Sequence, residues 1–175
     1  MKKLILALCL AFPLYSNAET KTVDYVDLNR YLGDWYEIAS IPQSFSKDCF
    51  CTRAQYGLRD DAKVSVYNTC NKESVTGKLS EANGVARVVD KKTNAKLRVT
   101  FFWPFSGDYW IIGLDTEYRY AVVSNRKGTS LWILSRTPEL EQPLLTEALT
   151  IATNNGIDIT KLNYTEQKGC TYPAP

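Results

Sequence analysis

The chain contains no histidine. That absence excludes Ser-His-Asp and Cys-His catalysis, histidine-ligated metals and a histidine proton switch. A surplus of one charge sign is also missing, with 21 Lys and Arg against 19 Asp and Glu. Such a balance leaves no phosphate-binding footprint, which argues against nucleic acid as a partner. Nor does it supply a polybasic reason to adhere to an anionic membrane surface. Long hydrophobic runs are lacking: the apolar stretch from Leu4 to Leu14 is too short to span a bilayer, and no transmembrane segment is expected. No internal repeat, low-complexity tract or linker divides the chain, and 175 residues suit one domain.

What is present starts at the N-terminus. Met1-Lys2-Lys3, the apolar stretch and Ser16-Asn17-Ala18 form the pattern of a secretory signal peptide cleaved after Ala18. The expected domain is therefore 19–175, and loss of Lys2 and Lys3 leaves 19 basic against 19 acidic residues. Cys9 lies inside this segment and raises the alternative of a lipoprotein signal. Leu8 is not a small residue and only Leu4 to Leu8 precede the cysteine, so lipid anchoring at Cys9 is disfavoured. Of the five cysteines, Cys49, Cys51, Cys70 and Cys170 lie beyond the leader. An even count in an exported chain reads as two disulfides, with three possible pairings. Cys49-x-Cys51 is spaced too closely for a zinc pair, so neither a metal nor a cofactor is implied.

Runs rich in β-branched and aromatic residues follow one another at short intervals. They are Trp35 to Ile41, Thr52 to Leu58, Lys63 to Cys70, Ser74 to Lys78 with Gly84 to Val89, Ala95 to Phe102, Tyr109 to Leu114, Tyr118 to Ser124 and Ser130 to Arg136. Turn-forming residues separate them, among them Arg59-Asp60-Asp61 and Pro104-Phe105-Ser106-Gly107. Eight strands with hairpin-length links predict an all-β, up-and-down antiparallel barrel, since closure removes exposed edges. One long helix is predicted, with Thr137 as N-cap and Pro138 in the first position, ending before Gly156. Its apolar stripe should pack on the outside of the barrel. A short turn of helix over Leu28 to Leu32 is capped by Asp27, and Leu162 to Glu166 can add a ninth strand.

Gly33-Asp34-Trp35-Tyr36-Glu37 opens the first strand, Leu114-Asp115-Thr116-Glu117-Tyr118 follows the sixth, and Leu134-Ser135-Arg136 ends the eighth. These three ordered motifs resemble the signatures of the lipocalin family. The segments "YLGDWYEIASIP", "YGLRDD", "FFWPFSGDYWIIGLD" and "LWILSRTP" resemble the bacterial outer-membrane members, whose animal relatives are apolipoprotein D-like. Counting strand reversals brings Gly33, Trp35, Asp115, Tyr118 and Arg136 to one end. There they are expected to close the floor, with Arg136 across the Trp35 indole, rather than to bind ligand. Four loops, 42–50, 71–76, 102–108 and 124–129, then lie at the open end, the first as a partial lid.

Alternation along each strand selects the inward residues. The expected ligand-binding set is Ala39, Ala54, Tyr56, Val66, Asn68, Val99, Phe101, Tyr109, Ile111, Val123, Trp132 and Leu134. Glu37 and Ile41 share parity with Trp35, and an inward Glu37 needs a partner near the floor or Arg136. The segment "CTRAQYGL" resembles apolipoprotein D and implies Cys51 with Cys170, leaving Cys49 with Cys70. Cys51 with Cys70 stays open as a competitor, because those strands are neighbours.

The resemblance implies a non-enzymatic carrier of a fatty acid or lysophospholipid, periplasmic and soluble or secreted, and monomeric or weakly dimeric. Two alternatives remain. A lipocalin-fold enzyme of the isomerase type needs a free pocket thiol. A loop-mediated interaction or inhibitor module needs a filled interior.

Overall fold

Period-two alternation of apolar and polar residues over eight consecutive runs commits each run to two faces, and the chain buries the inner face throughout and the outer one where a helix covers it. In the computed structural model, residues 19–173 are described. The signal-peptide reading of residues 1–18, and with it Cys9, lies outside them. The strands are β1 (Gly33–Ser40), β2 (Cys49–Leu58), β3 (Val64–Lys72), β4 (Leu79–Val88), β5 (Lys96–Phe102), β6 (Phe105–Leu114), β7 (Tyr120–Ser124) and β8 (Leu131–Ser135). Each pairs antiparallel with the next, and β1 pairs with both β2 and β8, so the eight strands close into a barrel. A ninth strand, β9 (Asn163–Tyr164), adds to β1 at Ala39 and Ser40.

Helix α1 (Leu28–Tyr31) is a single turn capped by the Asp27 side chain, just before the barrel. Helix α2 (Gln142–Asn154) lies against the outer face of β6 and β7. It begins later than Thr137. Pro143 occupies its first turn, where a missing N–H costs nothing; a start at Pro138 would put Pro143 in the helix interior and lose a hydrogen bond. Thr137 instead turns its hydroxyl to the Glu139 carbonyl, 2.6 Å away. At Gly113 the helix approaches so closely that a Cβ would stand 2.9 Å from Ile151.

Two hydrophobic clusters result. The inner one fills the barrel and includes Trp35, Tyr56, Val66, Val99, Ile111, Val123 and Leu134. The outer one lies between the sheet and α2 and includes Ile38, Ile112, Val122, Ile133, Leu144 and Ala148. Two strand boundaries also differ from the sequence reading. β4 runs unbroken from Leu79, and residues 74–77 form the turn before it. The β5–β6 ladder continues to the pair Phe102–Phe105, so the turn there is Trp103-Pro104 and not 104–107.

Candidate functional site

The floor is built from the three motifs. Arg136, one residue past β8, holds its guanidinium carbon 3.9 Å from the Trp35 ring centroid. Its Nη1 donates to the carbonyls of Leu32 and Asp34, each at 2.9 Å, and Nη2 donates to that of Arg30. Trp35 is wholly buried and its Nε1 donates to the Tyr31 carbonyl at 2.8 Å. Gly33 turns the chain with a φ of 91°, and a side chain there would meet Arg136. Asp115 accepts the backbone N–H groups of Glu117 and Arg119 and a paired bond from the Arg119 guanidinium. That bond holds the Asp115 carboxyl down at about 2. Tyr118 accepts the Asp27 N–H on its hydroxyl at 2.8 Å and lies under Arg30, 4.1 Å from ring to guanidinium carbon. Gly33, Trp35, Asp115, Tyr118 and Arg136 thus meet at one end and spend their polar groups on backbone and, for Asp115, on the Arg119 guanidinium.

Above the floor stand three tyrosines. Tyr31 of α1 and Tyr56 of β2 each place a hydroxyl against that of Tyr109 of β6, at 2.8 and 3.0 Å. Burial pushes all three phenols up, Tyr56 to about 12. They stay neutral, so the polar tips of Tyr56 and Tyr109 are already engaged. Tyr31 is absent from the sequence-selected set, as are Leu28, Leu32 and Ala86, which line the same space. The signal for the first three was available: Leu28, Tyr31 and Leu32 fall on one face of a helical turn. A cavity of about 20 Å³ remains among these side chains, room for a single water. The lower lumen is therefore nearly full.

The upper lumen differs. Ala54, Asn68 and Trp132 belong to strands whose inward partners are buried, yet each is partly exposed. The Oδ1 atom of Asn68 and the Oγ1 atom of Thr52 are buried without a partner among the described residues. Phe101 lies at the rim, its ring against Gly84 on β4 and 43% exposed. Tyr56, Val66, Val99, Ile111, Val123 and Leu134 face inward and are buried.

Ala39 does not face the lumen. A β-bulge falls between Glu37 and Ala39, so Glu37 pairs with Leu134 but Ala39 pairs with Ile133. One extra residue reverses parity, and Ala39 with Ile41 joins the outer cluster beneath α2. Ser40, opposite Trp132, takes the inward place instead. Glu37 is buried, and its side-chain partners are hydroxyls and not Arg136. Its Oε1 accepts from Ser40 Oγ at 3.0 Å and Thr165 Oγ1 at 2.6 Å, and burial raises its pKa.

The chain tail bridges the seam where β1 parts from β2. Gln167 Nε2 donates to the carbonyls of Glu37 and Thr52. Cys51 is bonded to Cys170 and Cys49 to Cys70. Arg53, buried on the outer face, donates to the Pro173 carbonyl at 2.7 Å.

Comparison with known proteins agrees with this geometry. A family profile described as a lipocalin-like domain matches residues 26–167. The chain is 38% identical to outer membrane lipoprotein Blc of Vibrio cholerae over 91% of each chain. It is 40% identical to the protein of that name in Escherichia coli K12, over 84% of this chain and 82% of the other. Apolipoprotein D of Bos taurus is 36% identical over 82% of this chain and 78% of its own. Among solved structures, insecticyanin of the tobacco hornworm Manduca sexta superposes with a TM-score of 0.71 at 24% identity, covering 87% of this chain and 88% of that one. A closed antiparallel barrel, a floor made of Gly33, Trp35 and Arg136, and a matched profile over most of the length establish that the chain belongs to the lipocalin family.

Proposed function

We propose that the protein binds a small amphiphile, a fatty acid or lysophospholipid, in the upper lumen and carries it within the cell envelope without catalysing a reaction. The observation that carries this is the asymmetry of the lumen. Its floor is closed and saturated with hydrogen bonds, whereas its upper wall combines partly exposed apolar groups with the unpartnered acceptors of Asn68 and Thr52. Apolar walls with a few polar groups suit one elongated ligand, its acyl chain descending to the tyrosine layer. Lining roles are proposed for Ala54, Tyr56, Val66, Asn68, Val99, Phe101, Tyr109, Ile111, Val123, Trp132 and Leu134. An isomerase-type enzyme is disfavoured because all four cysteines beyond the leader are paired, which leaves no thiolate among them.

The envelope location draws on the name outer membrane lipoprotein carried by the bacterial relatives. That name gives no support to excluding a lipid anchor at Cys9. No helix of the described residues is long and apolar enough to cross a membrane.

A second reading has one observation in its favour: the nearly filled lower lumen suits an interaction module that presents its open-end loops. Native extraction with mass spectrometry of bound lipid, followed by displacement of a fluorescent fatty acid, decides between them. Co-purifying lipid and competitive displacement are expected. A lipid-free protein that displaces nothing sinks the carrier reading.

A further inference from the structure

Phe101, near the upper end of β5, lays its ring on Gly84 of β4: a Cβ built on that glycine would stand 2.8 Å from the ring Cδ1 and 2.9 Å from Cε1. Register puts this contact inside the barrel. Ala86 pairs with Val99 and Val85 with Thr100, so Gly84 and Phe101 come next on the inward face that Ala86 and Val99 share. On its other side Gly84 pairs with Val66, which is itself opposite Tyr56, so the contact borders the tyrosine layer. Exposure changes at the same place. Ala82, the next inward position toward the mouth, is exposed, whereas Ala86, the next one down, is buried and lines the cavity of about 20 Å³. Phe101 itself stays 43% exposed.

We propose that Phe101 gates the lumen. Seated on Gly84, its ring stops an acyl chain above the tyrosine layer; swung toward the mouth, it lets the chain end descend to the cavity. This rests on the carrier reading and names the residue that decides how deep a ligand reaches. A ring that merely filled the wall would be enclosed as Ile111 and Val123 are, both wholly buried. Phe101 instead keeps an open side, so it gives up few contacts on turning about its first side-chain torsion to another staggered position. The glycine is the matching half of the device. Ala82 and Ala86 carry a methyl group at the inward positions above and below, and only at the level of the ring is a Cβ missing. A glycine within a strand marks such a close approach. The seated ring shuts the path in the ligand-free protein, and a bound chain holds it aside. The gate therefore slows entry and leaves exit nearly untouched.

That asymmetry supplies the test. Stopped-flow mixing of the full chain with cis-parinaric acid, a fluorescent fatty acid, gives association and dissociation rates separately. Phe101→Ala removes the ring, and Gly84→Ala puts a methyl group where the ring sits. Each is expected to speed association about tenfold with little change in dissociation, as removal of a closed state populated about nine parts in ten requires. Phe101→Leu, which covers Gly84 less fully, should fall between. Because Gly84 acts only by seating the ring, Gly84→Ala added to Phe101→Ala should change nothing further. Loss of an ordinary lining contact has the opposite signature: dissociation quickens and association holds. That result in Phe101→Ala overturns the gate and leaves the carrier reading standing, as does an effect of Gly84→Ala that persists without the ring. A parent chain that binds nothing while Phe101→Ala binds supports a shut gate. If no variant binds cis-parinaric acid, the carrier reading fails and the gate falls with it.

Discussion

Tyr31, in the single helical turn before the barrel, hydrogen-bonds Tyr109 of β6 with the two hydroxyl oxygens 2.8 Å apart. Its ring also lies 4.9 Å from that of Trp35 and 5.9 Å from that of Tyr56. Tyr31 thus plugs the lower lumen from outside the eight-strand pattern. Tyr31→Phe should lower stability by about 1 kcal/mol, the net worth of one hydrogen bond. Tyr31→Ala should cost about 3–5 kcal/mol and deepen the lumen. Displacement assays with acyl chains of increasing length check the second effect: the variant is expected to shift its preference toward longer chains. An unchanged preference places the chain end elsewhere.

Glu37 predicts a pH dependence. Desolvation raises its pKa above the ordinary 4.5, and the Thr165 and Ser40 hydroxyls offset this only in part. A carboxyl that holds its proton more tightly when folded costs stability as pH rises from about 4.5 through its folded pKa, and the cost is constant above that. Glu37→Gln keeps an oxygen for both hydroxyls and removes the titration. Thermal unfolding should then show a higher Tm at neutral pH and a flatter profile above pH 4.5. A variant less stable than the parent at every pH would show instead that the ionised form is needed.

Asn68 should separate stability from binding. Its buried Oδ1 lacks a partner, so Asn68→Leu removes an unsatisfied acceptor and should stabilise the ligand-free protein by ~1 kcal/mol. The same change should weaken amphiphile binding about tenfold if Asn68 meets the polar group of the ligand. Denaturant unfolding and fluorescent displacement on one preparation measure both. Binding that survives intact would move the headgroup away from β3.

The two disulfides should contribute unequally. Cys51–Cys170 closes a separation of 119 residues and Cys49–Cys70 one of 21. Loop-closure entropy then predicts a loss of about 4–5 kcal/mol on removing the first and about 3 kcal/mol on removing the second. Paired Cys→Ser variants compared by denaturant unfolding give the order. Freeing the tail should also expose it to protease, because the hydrogen bonds of Gln167 and Arg53 and the packing of Tyr172 on Tyr36 then hold it without a covalent tie.

Much of the barrel was readable because its requirements are local. A strand buried on one face must alternate, and Val64, Val66, Leu97, Val99, Ala121 and Val123 do so. The turn at Gly33 requires a residue that tolerates positive φ, and Arg136 suits a site that needs three carbonyls bonded and an indole covered. The start of α2 was not readable, because Pro138 and Pro143 each satisfy a first-turn position and only the path of the chain chooses. The inward assignment of Ala39 failed for another reason. Nothing in Ile38-Ala39 announces a bulge; it occurs where β1 leaves β2 after Tyr36 and takes β9 as its neighbour from Ala39.

Residue order by itself determined the strand count, the outer helix and the composition of the floor, since periodicity and turn chemistry act within a few residues. Tertiary structure alone decided how far the lumen is filled and which polar groups stay unspent. Tyr31 meets Tyr109 across 78 residues and Glu37 meets Thr165 across 128. No local pattern encodes such encounters, because the environment that decides whether a hydroxyl is free or a carboxyl keeps its proton is assembled from strands far apart in the chain.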